Sequence, residues 1–447
     1  MLIIMISSFL YTGCAEGGKP YYVFVMISDG CGFEHVRATN LYQYGEEGRQ
    51  IYQTFPVQYG MSHHPVDGLP YDPVKAWMDF DWVKFRVTDS AAAATAMATG
   101  VKTVNGRVSM TREKAPLETL VSHFESTGLS TGVVTSVPLS HATPAGFGAH
   151  NEARHNYAEI AREMLTGSGL DVIMGCGHPR YDDNGTEMLG VKGDYKYVGG
   201  PSLWNDILTG SAGNDCNGDG KPDYWTFTDD YEVLKSWMNG NTPARILYIP
   251  RVGSTLQAKR TSLSEAEPYS VPFITGVASL HEMTAAAINA LDENDKGFFL
   301  MIEGGAVDWA SHDNLLGRMI EEQIDFNKSV EAVVDWIESN NAWDHSLVIV
   351  TADHETGYLW GPGSGNVSKG KRSKRGDWKP MVSRGKGVMP EAVWYSGSHT
   401  SSLVPFYAKG YGSSLFSKYV NGMDKVRGEY IDNTAIGRLL FSLFHAE

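Results

Sequence analysis

Five continuous apolar runs of strand length constrain the fold of this chain more than any other feature. A strand with one face in water alternates apolar and polar residues, whereas continuous apolarity indicates a strand buried on both faces of a parallel sheet. Helical patterns separate the runs, which predicts an α/β fold: a doubly wound, mostly parallel sheet with helices on both faces. The predicted strands are residues 21–27, 131–135, 170–174, 298–302 and 347–350, and the predicted helices are residues 117–126, 157–165, 320–338 and 434–445.

Composition and charge limit the class of partner. The chain has 447 residues, of which 42% are hydrophobic and 20% charged, and this is enough apolar material for a large core. Its formal net charge is −15. Because binding to nucleic acid requires a clustered positive surface, the charge argues against a nucleic-acid partner. An anionic small-molecule substrate would need local positive charge, which bound metal ions could supply.

Residues 1–19 are predicted to be a signal peptide or a lipoprotein leader. Residues 1–10 are largely apolar, and small residues then precede Cys14, as in bacterial lipoprotein signals, although no Lys or Arg comes before the apolar run. We therefore expect a periplasmic or extracellular protein, with a lipid anchor at Cys14 and an ordinary leader as the two alternatives. No other stretch approaches the roughly 18 to 20 apolar residues of a membrane-spanning helix, so no membrane span is predicted.

Residues 20–447 are predicted to form one domain with two insertions. Residues 176–270 are rich in Gly, Asp and Asn and have weak periodicity. Residues 359–398 are rich in Gly, Ser, Lys and Arg and interrupt an otherwise regular pattern.

Polar side chains directly follow three of the predicted strands. Asp29 follows the first strand, Glu303 the fourth, and Asp353 and His354 the fifth. In open parallel sheets ligands bind beyond the carboxyl ends of the strands, so these side chains are expected to converge. Any one of them alone would more often cap a helix or a turn.

Further potential metal ligands lie in short segments between the strands. Asp308 and His312 are four residues apart, so on a helix both point to one side, and His399 is a third potential ligand. A carboxylate with imidazoles suits zinc, whereas carboxylates with hydroxyl groups and water suit magnesium. A single histidine of this kind is more often structural, but the grouping favours a metal site.

Ser90 is the candidate nucleophile. It precedes a run of alanines, so it is expected at the start of a helix, where free backbone N–H groups and the helix dipole favour a phosphoryl group or an alkoxide. Serine is also a leading helix N-cap residue, so a purely structural role is the alternative. No Ser-His-Asp order is evident, and activation would therefore have to come from a metal.

The segments around these residues resemble the alkaline phosphatase family, in the order in which they occur there. The resemblance extends from about residue 20 to the C-terminus, apart from the insertions, and makes residues 20–447 the catalytic domain. The matching segments are ISDGCG at Asp29, VTDSAAAATAMATG at Ser90, SHATPAGFGAHNEAR from Ser140, MIEGGAVDWASHDN from Met301, VTADHETG from Val350 and GSHTSSLVPFYAKG from Gly397.

The resemblance implies hydrolysis of phosphate monoesters through a phosphoserine on Ser90, with Arg154 clamping the phosphate oxygens. It further implies two zinc ions, a third site of magnesium type and a homodimer. Asp308, His312 and His399 would hold one zinc ion, Asp29, Asp353 and His354 the second, and Asp29, Thr143 and Glu303 the magnesium, with His141 beside it.

Two positions depart from one well-known version of the family. His141 and Trp309 stand where some members have Asp and Lys. An imidazole beside the third site weakens selectivity for magnesium, since imidazole also suits zinc or cobalt. Trp309 removes a cation near the phosphate, so we expect weaker product binding and faster turnover.

Two other functions are alternatives. One is a metal-dependent phosphodiesterase of the same superfamily, and the other is a non-catalytic protein that binds phosphate or metal. Diesterases of this type generally lack the third-site glutamate and the phosphate-clamping arginine, so Glu303 and Arg154 favour monoesters. A binding protein would be expected to lack the nucleophile, whereas Ser90 is present.

A separate segment has the spacing of a calcium-binding loop. Asp215, Asn217, Asp219 and Asp223 alternate as oxygen ligands, with Gly220 at the sixth position. The twelfth position is Thr226 rather than Glu, so the segment is not an EF-hand. A calcium loop and a solvated turn are the two alternatives.

Overall fold

The computed structural model describes residues 21–216, 218–261, 266–369 and 373–444. The strands are β1 (Tyr21–Ser28), β2 (Val57–Ser62), β3 (Ser130–Pro138), β4 (Val172–Cys176), β5 (Gly213–Asn214), β6 (Asp223–Tyr224), β7 (Thr226–Thr228), β8 (Ile246–Tyr248), β9 (Gly297–Gly304), β10 (Ser346–Thr351), β11 (Glu355–Thr356), β12 (Leu359–Trp360), β13 (Gly365–Lys369), β14 (Ser373–Asp377), β15 (Val393–Trp394), β16 (His399–Thr400), β17 (Val404–Gly410), β18 (Val420–Asp424) and β19 (Gly428–Asp432).

Helices occupy most of the connections between the long strands. The α-helices are α1 (Phe33–Tyr44), α2 (Pro73–Ala76), α3 (Ser90–Thr99), α4 (Leu120–Ser126), α5 (Ala142–Gly148), α6 (Tyr157–Thr166), α7 (Pro201–Leu208), α8 (Tyr231–Met238), α9 (Leu280–Leu291), α10 (Ala306–His312), α11 (Leu316–Ser339) and α12 (Thr434–Leu443). Short 3-10 helices lie at Ile51–Thr54, Trp82–Lys84, Lys196–Val198, Trp343–His345 and Ser413–Tyr419.

One large mixed sheet organises the described chain. Its eleven strands follow the order β18-β19-β2-β17-β10-β1-β9-β3-β4-β8-β7. Of the ten neighbouring pairs in that sheet, seven are parallel, and only β10–β17, β17–β2 and β18–β19 are antiparallel. The predicted doubly wound, mostly parallel α/β fold is therefore confirmed.

Helices cover both faces of the sheet, as adjacent aromatic residues on β9 show. Successive strand residues point to opposite faces. The ring centroid of Phe298 lies 5.7 Å from that of Trp336 on α11, and the centroid of Phe299 lies 4.9 Å from that of Phe124 on α4. Burial on both sides explains why the sequence of the central strands is continuously apolar.

The alanine-rich helix α3 packs against its neighbours at very short distances. A Cβ atom on Gly146 of α5 would lie 2.7 Å from the Cβ atom of Ala94, and one on Gly437 of α12 would lie 2.4 Å from the backbone nitrogen of Gly100. Larger side chains at these contacts would push the helices apart. The alanine run thus fixes the position of α3, and with it the position of Ser90 at its first turn.

The two segments predicted as insertions contain regular structure. Residues 176–270 include α7 and α8, and their strands β7 and β8 extend the edge of the central sheet. Residues 359–398 include β12, β15 and the β13–β14 pair. Cys14 and the rest of the predicted leader lie outside the described residues. Within the described part of the chain, no helix combines the length and apolarity needed to cross a membrane.

Candidate active site

Three neighbouring strands at the centre of the sheet end in buried carboxylates. Asp29 follows β1, Glu303 is near the end of β9, and Asp353 follows β10. β1 lies between the other two strands and pairs with both in parallel, so that Ile27 is opposite Glu303 on one side and Thr351 on the other. The structure therefore brings together the strand-end residues that the sequence singled out.

Asp29, Asp353 and His354 form one cluster of potential metal ligands. His354 Nε2 lies 3.1 Å from Asp353 Oδ2 and 3.5 Å from Asp29 Oδ1. One ligand atom from each of the three residues lies within 4.8 Å of the others, and all three side chains are buried. This is the set that the resemblance implies for the second zinc ion.

Asp308, His312 and His399 meet beside the first cluster. His312 Nε2 lies 3.0 Å from His399 Nε2 and 3.5 Å from Asp308 Oδ2, and His399 Nε2 lies 3.7 Å from Asp308 Oδ1. The rings of His354 and His399 stack with centroids 3.6 Å apart, and Asp308, His354 and His399 also form a compact ligand set. The two predicted triads are therefore adjacent, and His354 of one triad stacks on His399 of the other.

The residues predicted for the third site, Glu303, Thr143 and His141, come from β9 and from the start of α5. Glu303 Oε2 accepts a short hydrogen bond from Thr135 Oγ1 of β3. His141 immediately precedes α5, which carries Thr143, and both residues are buried. β3 pairs with β9 in the sheet, so the end of β3 brings α5 close to Glu303.

The buried carboxylates lack partners that would neutralise them. Both carboxylate oxygens of Asp29, Oδ2 of Asp353 and Oε1 of Glu303 accept no hydrogen bond within the described structure. Burial, together with the charge of Asp353, Asp308 and Glu303, raises the pKa of Asp29 well above its usual value. A buried cluster of like charges is unfavourable unless cations compensate it, so this donor set fits divalent metal ions.

Burial has the opposite effect on the pKa of two histidines, His354 and His141. It lowers the pKa of His354 well below its usual value, and the neighbouring imidazole of His399 lowers it further. Burial and the charge of Arg154 likewise lower the pKa of His141. Both imidazoles are therefore neutral at ordinary pH, which is the form that coordinates metals.

Ser90 is the first residue of α3, and its N-cap is Asp89 rather than Ser90 itself. Asp89 Oδ1 accepts a hydrogen bond from the backbone N–H of Ala92 at 3.0 Å. Ser90 Oγ instead lies 3.2 Å from His354 Nε2. The interpretation of Ser90 as a plain N-cap is therefore wrong, and its hydroxyl group faces the ligand cluster.

Arg154 is held beside Ser90 by Asp89. Its Nη1 atom lies 3.1 Å from Asp89 Oδ2, and its backbone N–H donates to Gly106 O at 2.7 Å. The backbone N–H of Gly106 in turn donates to Asp89 Oδ2 at 2.8 Å. One carboxylate thus caps the helix that carries Ser90 and positions the guanidinium group.

An open cleft of about 450 Å³ connects part of this constellation to solvent. Lys259 and Trp309 contribute to its wall, and the Lys259 ammonium lies 4.4 Å from the centroid of the Trp309 ring. The residues that line the cleft are Ser90, His141, Arg154, Lys259, Asp308, Trp309, His312, Asp313 and His399.

Two residues at the site, Thr356 and Lys259, were not predicted from the sequence. Thr356 Oγ1 donates to Asp308 Oδ1 at 2.5 Å and lies 3.3 Å from His354 Nδ1. Thr356 lies two positions after His354, so a search for hydroxyl groups flanking each ligand could have found it. Lys259 lies in the segment predicted as an insertion, where nothing in the sequence indicated a contact with the site.

The predicted calcium loop is described only in part, because Asn217 lies outside the described residues. Asp215 Oδ1 accepts from the backbone N–H of Gly218 at 2.7 Å, and its Oδ2 accepts from that of Gly220 at 2.8 Å. Asp223 Oδ2 accepts from the N–H of Cys216 at 3.0 Å. These carboxylates stabilise the loop itself, and calcium binding stays a prediction.

Sequence comparisons identify relatives with a common description. The family model "Alkaline phosphatase" matches residues 22–393. Alkaline phosphatase 3 of Bacillus subtilis is 29% identical over 380 residues, which cover 79% of this chain and 68% of that protein. The alkaline phosphatase of Escherichia coli is 27% identical over 346 residues, which cover 74% of this chain and 69% of that protein.

Structure comparisons show the same fold in solved structures. Alkaline phosphatase from the Antarctic bacterium TAB5 matches with a TM-score of 0.63 and 22% identity, over 95% of this chain and 98% of that chain. The Thermus thermophilus enzyme matches with a TM-score of 0.64 and 20% identity, over 96% and 92% of the two chains. A TAB5 variant with magnesium in its M3 site matches with a TM-score of 0.63 and 21% identity, over 95% and 98%.

Proposed function

Because this chain belongs to the alkaline phosphatase family, we propose that it hydrolyses phosphate monoesters through a covalent phosphoserine on Ser90. The observation that carries this proposal is the position of Ser90 Oγ. It lies at the first turn of α3, 3.2 Å from His354 Nε2 and in the same cleft as Arg154. A nucleophile, a cation for phosphate oxygens and a metal-ligand cluster thus face one solvent-accessible space.

The carboxylates and imidazoles of the site would hold two zinc ions and one magnesium ion. Zinc fits the two sets that combine carboxylates with imidazoles, and magnesium fits the oxygen-rich set around Glu303. Magnesium occupies the M3 site of an engineered TAB5 variant, so a site of magnesium type occurs in this fold. When bound, these ions would neutralise the buried carboxylates, lower the pKa of the serine hydroxyl and compensate the charge of the phosphoryl group.

Ser90 would attack the phosphorus atom of the ester. A bond forms from Oγ to phosphorus, the bond from phosphorus to the ester oxygen breaks, and the alcohol departs with a proton. In the second step water attacks the phosphoserine, restores the Ser90 hydroxyl and releases inorganic phosphate. Free backbone N–H groups at the start of α3 would stabilise negative charge at Oγ and at the phosphoryl group in both steps.

Arg154 would bind two non-bridging oxygens of the phosphoryl group with its planar guanidinium. Asp89 occupies one edge of that group through Nη1, which fixes its orientation before substrate arrives. Such preorganisation reduces the entropy lost on binding. A diester still presents two non-bridging oxygens but carries one negative charge fewer than a monoester, so the attraction of the guanidinium favours monoesters over diesters.

Location and assembly complete the proposal. The predicted leader makes the periplasm or the cell exterior the proposed location, with a lipid anchor at Cys14 as one alternative. A homodimer is the proposed assembly, on the basis of the family resemblance alone.

The direct test compares two chromogenic substrates at alkaline pH. Rates with p-nitrophenyl phosphate and bis-p-nitrophenyl phosphate would be measured before chelation, after chelation and after zinc and magnesium are restored. We expect strong preference for the monoester, loss of activity with chelator and recovery with metal. Preference for the diester would instead assign the protein to the phosphodiesterase branch, and inactivity of the metal-restored protein would leave a binding protein.

A further inference from the structure

We propose that Lys259 is a phosphate-binding residue of the cleft and supplies the cation that Trp309 does not. This inference rests on the proposed function, because it assigns the ammonium group to the phosphoryl group of the substrate and of the product. Lys259 lies between α8 and α9, in the segment that the sequence predicted as an insertion. The segment would thereby contribute directly to substrate binding.

Trp309 places the Lys259 side chain at the cleft. The ammonium nitrogen lies 4.4 Å from the centroid of the indole ring, a distance typical of a cation–π contact. The same indole ring meets the ring of His141 edge-on, with centroids 5.4 Å apart. All three residues line the cleft together with Ser90 and Arg154. The indole ring of Trp309 thus contacts the positive charge of Lys259, which comes from another part of the chain.

The backbone around Lys259 is firmly attached to the core. The N–H of Leu256 donates to Ser136 O at 3.1 Å, and the N–H of Lys259 donates to Thr255 Oγ1 at 2.9 Å. The next residue, Arg260, is almost fully buried, and its Nη2 atom lies 2.9 Å from Glu321 Oε2 on α11. Lys259 is half-buried, and its backbone is held in place by these hydrogen bonds. Only its side chain would therefore need to move to reach a ligand.

The charge of Lys259 is available for a ligand. Among the residues that the structure describes, no carboxylate forms an ion pair with its ammonium group. Lys235, in the same segment, also lies over an aromatic ring, 4.3 Å from the centroid of Tyr231, but it pairs with Glu232 at 2.8 Å. Arg154 is likewise paired, with Asp89. Lys259 thus makes the cation–π contact and still has three N–H donors that can form hydrogen bonds to phosphate oxygens.

This assignment reverses an expectation drawn from the sequence. The presence of Trp309 in place of a lysine predicted weaker binding of product phosphate, because a cation near the phosphate would be missing. With Lys259 beside Trp309, the cleft retains a positive charge close to that position. We therefore expect inorganic phosphate to inhibit the enzyme competitively, in a manner that depends on Lys259.

The test uses Lys259→Met, which keeps an apolar stem over Trp309 and removes only the charge. Lys259→Arg keeps the charge, and Lys235→Met is the matched control at a lysine over an aromatic ring that does not line the cleft. The readouts on the metal-loaded enzyme are the inhibition constant of inorganic phosphate and the separate kcat and KM for p-nitrophenyl phosphate. We expect Lys259→Met to raise the inhibition constant and KM by about tenfold, Lys259→Arg to restore most of that loss, and Lys235→Met to match wild type.

A second variant separates charge from packing. Trp309→Lys in the Lys259→Met background supplies a cation from the other residue and should recover phosphate inhibition. An inhibition constant unchanged in Lys259→Met, with normal wild-type hydrolysis, would overturn the assignment and leave the proposed function intact. Inactivity of the wild type towards monoesters would instead overturn the proposed function itself. A loss in Lys259→Met that Lys259→Arg does not restore at all would mean that Lys259 acts by packing, and would also overturn the assignment.

Discussion

The two oxygens of a single carboxylate can have different tasks, and Asp353 illustrates this. Its Oδ1 atom accepts hydrogen bonds from the backbone N–H groups of Gly30 at 3.1 Å and His354 at 2.9 Å. Its Oδ2 atom has no hydrogen-bond donor in the described structure and lies 3.1 Å from His354 Nε2. Backbone donors therefore orient the carboxylate and leave one oxygen for a metal ion, which is the usual role of outer hydrogen bonds around metal ligands.

Thr356 has a comparable role for Asp308, and its removal should weaken metal binding. Thr356→Val keeps the shape of the side chain but removes the hydroxyl group that donates to Asp308 Oδ1. Loss of such a supporting hydrogen bond typically lowers metal affinity by about 10-fold to 100-fold. We expect zinc to be lost at a correspondingly lower chelator concentration, as measured by zinc content after dialysis. Thr209→Val, at an exposed position after α7, is the control, and equal zinc retention in both variants would contradict the role of Thr356.

Arg154 should be poorly replaced by lysine. Arg154→Lys keeps one positive charge but loses the planar pair of donors and the fixed contact with Asp89. We expect KM for p-nitrophenyl phosphate to rise by about tenfold, since one hydrogen bond to a charged group is worth roughly 1.5 to 3 kcal/mol. Arg384→Lys, at an exposed ion pair with Glu391, provides the control. A KM that stays at the wild-type value in Arg154→Lys would show that the guanidinium does not bind the phosphate.

Helix α11 anchors the segment that carries Lys259. Glu321 on this helix lies 2.9 Å from Arg260 Nη2 and 3.1 Å from Arg318 Nη1. The neighbouring Glu322 is also buried, and no ion pair among the described residues involves its carboxylate. Burial, followed by the charges of Asp325 and Glu321, raises the pKa of Glu322 from 4.5 to about 8.

Glu322 should therefore reduce stability as the pH rises. A carboxyl group whose folded pKa is raised binds more protons in the folded than in the unfolded state between pH 4.5 and about 8. The free energy of unfolding consequently falls through that window and levels off above it. We expect Glu322→Gln to match wild type in acid and to be more stable at alkaline pH by several kcal/mol, since each unit of pKa shift corresponds to about 1.4 kcal/mol. Glu338→Gln, exposed on the same helix, is the control, and parallel pH profiles of stability for Glu322→Gln and wild type would contradict the prediction.

The elements also show how far the sequence determines the fold and the site. The central strands were predictable because burial on both faces removes alternation, and strand-end residues such as Asp29 were predictable because parallel strands end at one edge. The antiparallel strands β2 and β17 depend on pairing between residues far apart in the chain, which local patterns do not encode. The same holds for Lys259, whose contact with Trp309 joins two segments that have no shared periodicity.

For the whole molecule, the site is the point where the centre of the sheet carries uncompensated negative charge. Asp29 and Asp353 come from adjacent strands of the core, and Asp308 lies in the helix after a third. Their burial means that metal ions would contribute to the stability of the entire domain, since ions that bind only the folded state stabilise it.

Chelation should therefore lower the melting temperature as well as the activity. We expect the apoprotein to melt at a lower temperature than the protein loaded with zinc and magnesium, and the difference to grow with the concentration of free metal. Differential scanning calorimetry with and without chelator measures this directly, and identical melting temperatures would contradict the metal assignments.

Calcium added to the zinc-saturated protein tests the separate loop at Asp215, where equal melting temperatures would refute calcium binding.

The covalent intermediate on Ser90 is the most direct test of the proposed chemistry. The metal-loaded enzyme would be mixed with p-nitrophenyl phosphate, quenched in acid and digested, and the peptide that contains Ser90 would be analysed by mass spectrometry. We predict one additional phosphoryl group on Ser90 in the wild type and none in Ser90→Ala, which should also lose turnover while keeping its metal content. An unmodified Ser90 peptide in an enzyme that turns over, or full turnover by Ser90→Ala, would contradict the proposed mechanism.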